Sequence, residues 1–467
     1  MTLNLTPTSE TDAFDLPDRF VKWFAEKGWS PRAHQLELLS RAEQGQSTLL
    51  IAPTGAGKTL AGFLPALVDL ERGRNKVGTG SPSRVAPKTK RGVHTLYISP
   101  LKALAVDIHR NLTIPVEEMG LDITIETRTG DTPAHKRQRQ KLVPPDILLT
   151  TPEQLALLIA SKGAEQFFKG LRYVVLDELH SLVISKRGHL LALGLARLRR
   201  LQPQLQTIGL SATVAQPDEL RRWLVEQDGT EPKSGLVTVD GGAKPEITIL
   251  DSEERVPWAG HSSRYAIPDI YEAVRAHRTT LLFVNTRSQA EMLFQELWRV
   301  NEDTLPIALH HGSLDASQRR KVEQAMAANT LRAVVATSTL DLGIDWGDVD
   351  LVIHVGAPKG ASRLAQRIGR ANHRMDEPSR AILVPANRFE VMECRAALDA
   401  NYLGAQDTPP LIDGALDVLA QHVLGMACAE PFNADQLYRE VQSAAPYSNL
   451  SRETFDQILD FVATGGY

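Results

Sequence analysis

Short apolar runs recur along the first half of the chain, at Thr48–Ile51, His94–Ile98, Asp122–Thr127, Ile147–Thr150, Val174–Leu176 and Thr207–Leu210, with helical spacing between them. Such runs, bounded by turn residues, read as strands buried on both faces, and their alternation with helices predicts βαβ units around a parallel sheet. The rhythm pauses over Asp240–Ser263. It resumes with strands at Thr280–Asn285, Pro306–His310, Ala333–Thr337, Val349–Val355 and Ala381–Pro385, and with helices at Ser288–Arg299 and Ser317–Ala328. After Ile412 it stops, and Leu416–Ala427, Ala434–Ala444 and Arg452–Thr464 read as three helices, either a winged-helix core or a plain helical extension. The expected fold is α/β: two tandem domains with parallel sheets and helices on both faces, then a helical domain. The divisions fall at a polar tail (1–16), a first α/β domain (17–241), a connection (242–263), a second α/β domain (264–408) and the helical segment (409–467). The last of these is expected to continue beyond Tyr467.

Composition narrows the class. The 467 residues are 42% hydrophobic and 23% charged, with a net charge of -4. Large cores are possible, and any contact with nucleic acid must come from local patches. One such patch is the segment from Glu71 to Gly92, with seven Lys/Arg against one Glu, read as an exposed basic loop that is either merely solvated or a nucleic-acid contact. The two cysteines, Cys394 and Cys428, form no CxxC, so a reducing compartment is expected. No apolar run reaches membrane-spanning length, and the polar, acidic N-terminus is unlike a signal peptide. No membrane partner is expected; a cytosolic location is.

Two local patterns carry chemistry. The strand Leu49-Leu50-Ile51 runs into Ala52-Pro53-Thr54-Gly55-Ala56-Gly57-Lys58-Thr59 and then a helix. This is the phosphate-loop pattern with Ala52 at the first glycine position. Thr54, Gly55 and Gly57 would cradle phosphates with backbone N–H groups, Lys58 would reach the β/γ-phosphates, and Thr59 could ligate Mg²⁺. Farther on, a strand ends in Asp177-Glu178-Leu179-His180. In an open α/β sheet that carboxyl edge is the ligand-binding edge. Asp177 could hold Mg²⁺ there while Glu178 activates an attacking water. Alone, the pair reads equally as an acidic turn; with the loop upstream it makes an NTP-hydrolysis site.

With these residues assembled, the chain resembles a superfamily 2 DExH-box helicase with two RecA-like domains. Trp29-Ser30-Pro31-Arg32-Ala33-His34-Gln35 resembles the Q motif, which implies that Gln35 recognises adenine. Ser211-Ala212-Thr213 resembles motif III, implying with His180 a coupling of the ATP site to the bound strand. Gln366-Arg367-Ile368-Gly369-Arg370 is similar to motif VI. The resemblance implies that Gln366 positions water and Arg370 is the arginine finger, with Arg367 or Arg374 assisting at ATP. Ala336 to Asp345 resembles motif V, implying Gly343 and Asp345 near ATP and Thr337 near a phosphate. Ser99-Pro100-Leu101-Lys102, Thr129-Gly130-Asp131 and Thr150-Thr151-Pro152 resemble motifs Ia, Ib and Ic. They imply nucleic-acid contacts at Pro100, Lys102, Thr129, Gly130, Thr151 and Pro152, matched by Arg287 and His311 in the second domain.

Asp177-Glu178-Leu179-His180, Trp258 and Leu342-Gly343-Ile344-Asp345-Trp346-Gly347 are most similar to the Lhr (large helicase-related) group. Arg370-Ala371-Asn372-His373-Arg374 resembles its ligase-associated DNA-damage-response branch. That resemblance implies an ATP- and Mg²⁺-dependent motor moving 3′ to 5′ on single-stranded DNA, unwinding DNA or RNA:DNA duplexes, with repair ligases or nucleases as partners. An RNA helicase or RNA:DNA-hybrid remodeller stays open, because phosphate contacts carry little sugar information. So does a nucleotide-switched clamp that binds nucleic acid without motor activity.

Overall fold

The computed structural model describes residues 16–53, 55–78, 92–212, 214, 216–229, 233–239, 241, 243–260, 262–341, 349–371, 378–405 and 412–465. Its first sheet contains β1 (Thr48–Ile51), β2 (Thr95–Ile98), β3 (Ile125–Arg128), β4 (Ile147–Thr150), β5 (Tyr173–Leu176), β6 (Gln206–Ser211) and β7 (Gly235–Thr238). All neighbours are parallel, in the order β3-β4-β2-β5-β6-β1-β7. The second comprises β8 (Glu246–Ile249), β9 (Thr280–Phe283), β10 (Ile307–His310), β11 (Ala333–Ala336), β12 (Leu351–Val355) and β13 (Arg380–Val384), parallel in the order β10-β11-β9-β12-β13-β8.

Central strands of the first sheet are buried at every residue because helices cover both faces. Successive side chains feed opposite layers: Leu49, Ile51, Leu96 and Val174 join one core, Leu50, Tyr97, Leu149 and Val175 the other. The helix Lys58–Gly78 lies so close that a Cβ on Gly62 would come 2.9 Å from Leu210 and 3.2 Å from Val175.

Three expectations change. The segment read as a connection contains β8, which pairs with β13 as the edge strand of the second sheet. The first sheet gains β7 beside β1. The helix that follows the phosphate loop runs on to Gly78, so the first part of the basic segment is helical; residues 79–91 lie outside the described part.

The terminal helices Leu416–Ala429, Ala434–Gln442 and Arg452–Thr464 form a helical module that docks on the first domain. Val418, Leu419, Val423, Met426 and Tyr447 belong to the same apolar core as Leu155, Leu191, Leu195 and Leu198. Lys186 pairs with Asp417 at 2.6 Å and Arg197 with Glu430 at 2.7 Å, while the Ala415 N–H donates to His189 Nδ1 at 3.1 Å.

Candidate active site

The sheet order places β5, β6 and β1 side by side, so the loop after β1, the carboxylates after β5 and Ser211 at the end of β6 meet at one carboxyl edge. Gly55 and Gly57 have φ of 79° and 75°, the left-handed turn that side chains avoid. Ala52 can replace a glycine because it sits in a strand-like position, buried, its N–H donating to the Ser211 carbonyl at 3.2 Å. The Lys58 ammonium donates to the Ala52 carbonyl at 2.8 Å. Burial holds its pKa below the usual value, only partly offset by the charges of Glu178 and Asp177.

The segment before β1 braces the loop. His34 Nε2 lies 3.0 Å from the Ala56 carbonyl, and Arg32 donates to the Gly55 carbonyl at 3.2 Å. Gln35 Oε1 accepts from the Arg32 N–H at 2.9 Å, while its Nε2 lies 3.2 Å from where a Cβ on Gly57 would be. In the motif His34 and Arg32 are only spacers; their contacts with the loop backbone are visible only in three dimensions.

Asp177 accepts from the Tyr97 hydroxyl and, at 2.9 Å, from the Glu178 N–H. Burial and the adjacent Glu178 charge raise its pKa to about 6. Glu178 occupies the left-handed region at φ 48°, a conformation that costs roughly 1–3 kcal/mol and concentrates at functional sites. Burial raises its pKa, but the adjacent His180 ring together with the Lys58 and Arg370 charges outweighs it and holds the carboxylate ionised. Arg370, from the second domain, is thus within electrostatic reach of both Glu178 and Lys58.

His180 joins the domains. Gln366 Nε2, on the helix Ala361–Ile368, lies 2.5 Å from His180 Nε2, and Glu178 Oε2 lies 3.3 Å from the same nitrogen. His180 Nδ1 is 3.0 Å from Ser211 Oγ, whose hydroxyl donates to the Ala212 carbonyl at 2.9 Å. Burial lowers the His180 pKa, so the ring is neutral. With the Ser211 hydroxyl donating to Ala212, Nδ1 carries the ring proton and Nε2 accepts from Gln366; donation to Glu178 needs the proton moved to Nε2.

Arg367 is a correction. Its guanidinium is buried inside the second domain, with Nε donating to Asp341 Oδ1 at 2.7 Å, Nη2 to Oδ2 at 3.3 Å and Nη1 to His354 Nε2 at 2.6 Å. Burial first, then the Arg367 charge, pushes His354 down to about 3, so it stays neutral and accepts. Arg367 therefore ties Asp341 to the motif VI helix and does not face the nucleotide. Thr54, Thr213, Gly343, Asp345 and Arg374, and the side chain of Lys102, lie outside the described part.

The expected nucleic-acid residues line the other half of the same edge, after β2, β4 and β3. Their side chains are less available than expected. Thr151 and Thr129 are buried, and the Thr129 hydroxyl oxygen accepts from the Asp131 N–H at 3.3 Å. Backbone at Gly130 and the N-terminus of the helix Pro152–Ile159 remain as phosphate donors. Arg187 binds Glu153 and donates to the Pro100 carbonyl at 2.5 Å, joining two of these loops. Across in the second domain, Arg287 is exposed beside Glu291 at 2.8 Å and Thr337 immediately precedes the turn Ser338–Leu340. His311 is a second correction: it is buried, with Nε2 3.4 Å from Glu291, rather than lying open beside Arg287.

Three family models match in this order: DEAD/DEAH box helicase over residues 32–220, helicase conserved C-terminal domain over 265–375, and large helicase-related protein, winged helix domain over 404–467. The chain belongs to the large helicase-related (Lhr) family. The Lhr helicase/probable uracil glycosylase of Mycolicibacterium smegmatis is 36% identical over 95% of this chain and 31% of its own length. The ATP-dependent helicase Lhr-Core of Methanocaldococcus jannaschii is 33% identical over 98% of this chain and 54% of its own. The solved Mycobacterium smegmatis Lhr, bound to ssDNA and AMP-PNP, superposes with a TM-score of 0.83 at 36% identity, covering 96% of this chain and 57% of that one. The chain thus spans between about a third and about half of these Lhr relatives. The Lhr winged helix is the module docked on the helix Lys186–Leu201, which follows Asp177–His180 after the short helix Leu179–Val183.

Proposed function

We propose that the chain is an ATP-driven motor that moves 3′ to 5′ along single-stranded DNA and separates DNA or RNA:DNA duplexes in repair. The observation that carries it is the contact of Gln366 with His180 across the two RecA-like domains, 2.5 Å apart beside Glu178. ATP would be held between Gln35, Gly55, Gly57, Lys58 and Thr59 on one side and Arg370 on the other. Glu178, ionised and flanked by cations, would orient and deprotonate the attacking water, with Gln366 helping to place it. Arg370 would stabilise the charge that spreads over the transferring phosphoryl oxygens.

The residues fit Mg²⁺. Among the described residues no cluster of three ligand side chains stands ready for a metal, and Mg²⁺ in phosphoryl-transfer sites takes one or two protein oxygens plus phosphates. Asp177, a buried carboxylate pressed against a second one, and the Thr59 hydroxyl would hold it; bound there, the ion would screen phosphate charge. Movement of the cleft would exchange the Gln366 and Glu178 claims on His180 and carry that change to Ser211 and the strand loops.

Support for DNA comes from the Mycobacterium smegmatis Lhr bound to ssDNA; polarity, repair role and ligase or nuclease partners rest on the branch resemblance, and a cytosolic location on the cysteine usage. Strand displacement on 3′- and 5′-tailed DNA:DNA and RNA:DNA duplexes tests the reading. Release from 3′-tailed duplexes only is expected; release from 5′-tailed ones alone would overturn the polarity.

A further inference from the structure

The last residue of edge strand β3, Arg128, is only 5% exposed, yet among the described residues no carboxylate meets it. Its Nη1 donates to the Arg137 carbonyl at 3.0 Å and reaches Gln140 Oε1 at 3.5 Å, both neutral. Its Nε is buried with no partner. The nearby acid Glu126 is already taken, by Arg139 at 2.5 Å and by the Gln140 amide at 2.9 Å. A buried cation without a counter-charge is costly, and folded chains rarely keep one unless a ligand completes it.

The surroundings add charge of the same sign. The helix Ala134–Leu142, AHKRQRQKL, carries no acid. Burial and the Arg137 charge hold the Arg128 pKa below its usual range, and burial and Arg128 do the same to Lys141, so these cations repel one another. Arg128 ends β3 at the same carboxyl edge as the loops expected to meet nucleic acid. Arg128 is in register with Thr150, whose hydroxyl donates to the Arg128 carbonyl at 2.9 Å. Thr129-Gly130 follow Arg128, and Thr151-Pro152 follow Thr150.

We infer that Arg128, Arg137 and Lys141 form a receptor for a backbone phosphate of the bound single strand, lengthening the groove past β3. The inference rests on the nucleic-acid reading above and adds a contact that none of the motif residues supplies. The missing counter-charge of Arg128 is then the phosphate itself, and no base is read.

The test measures anisotropy of a labelled oligo-dT with the full chain across a KCl series, together with Tm, for the parent, Arg128→Met, and the pair Arg137→Gln with Lys141→Gln. Both variants are expected to bind about tenfold more weakly, and the slope of log K against log salt should flatten by about 0.7 for each phosphate that is no longer neutralised. Arg128→Met should melt no lower than the parent, since it removes an uncompensated charge. A lowered Tm with unchanged affinity and slope would make Arg128 a structural clamp and overturn the inference. So would inorganic phosphate raising the parent Tm while oligo-dT affinity is equal in all three proteins, which marks a free-anion site. A parent chain that shows no salt-dependent oligo-dT binding would instead bring down the underlying nucleic-acid reading.

Discussion

At the residue scale the site is a set of charges that compensate one another only when both domains are present. Glu178 stays ionised in a buried place because Lys58, His180 and Arg370 surround it. Replacing Glu178 with Gln keeps size and burial but removes the base, so ATP should still bind while turnover drops by several orders of magnitude; nucleotide titration and steady-state hydrolysis check the two halves. Near-normal turnover in that variant would remove Glu178 from its role. Tyr97 is the less visible member. Its hydroxyl is one of the donors to Asp177, and Tyr97→Phe should cost about 1–3 kcal/mol in denaturant unfolding, since a charged acceptor loses a buried partner. Lys58 and Asp177 were legible because a phosphate loop and a strand-end carboxylate are local patterns. Tyr97 was not, because only the pairing of β2 with β5 brings it to Asp177 from 80 positions away. Arg367 shows the reverse error: a motif arginine is visible in the sequence, but the Asp341 that claims it sits in another motif.

At the scale of elements, tight packing of the post-loop helix on the sheet sets where Lys58 and Thr59 stand. Gly62→Val would drive a side chain into Leu210 and Val175. It should destabilise the first domain by about 1–3 kcal/mol and shift the phosphate loop, read as a lower Tm and a weaker apparent ATP affinity. The strand-and-helix alternation was readable because doubly covered strands are apolar at every position. β7 and β8 escaped because they lie at the sheet edges, where half the positions face water and the apolar run breaks into alternation; β8 reads exposed, buried, exposed, half-buried. The terminal helices were readable from their spacing, but an apolar stripe says only that a face is covered. That it is covered by Lys186–Leu201 comes from the structure.

At the scale of the molecule, the winged helix is bound to the first RecA-like domain and should travel with it. His422 lies buried in that core, and burial followed by the Arg197 charge lowers its pKa to about 4. An exposed histidine titrates near 6.5, so the unfolded chain takes up the proton first. The stabilisation is therefore complete above pH 6.5 and is lost as pH falls toward 4, by roughly 3 kcal/mol in the limit. Burial raises the Glu440 pKa and opposes this trend, so comparison with His422→Leu isolates the histidine. The parent should lose more Tm than His422→Leu between pH 7 and pH 5; equal losses would put His422 outside the effect. Hydrolysis, finally, should require the two RecA-like domains to complete one site on a bound strand. ATP turnover at saturating ATP, with and without a single-stranded DNA oligonucleotide, decides this when measured in the parent chain and in Arg370→Ala. Strand-stimulated turnover is expected in the parent, and its loss in Arg370→Ala. Parent turnover indifferent to the strand, or an Arg370→Ala variant as fast as the parent, would contradict a site shared between the domains.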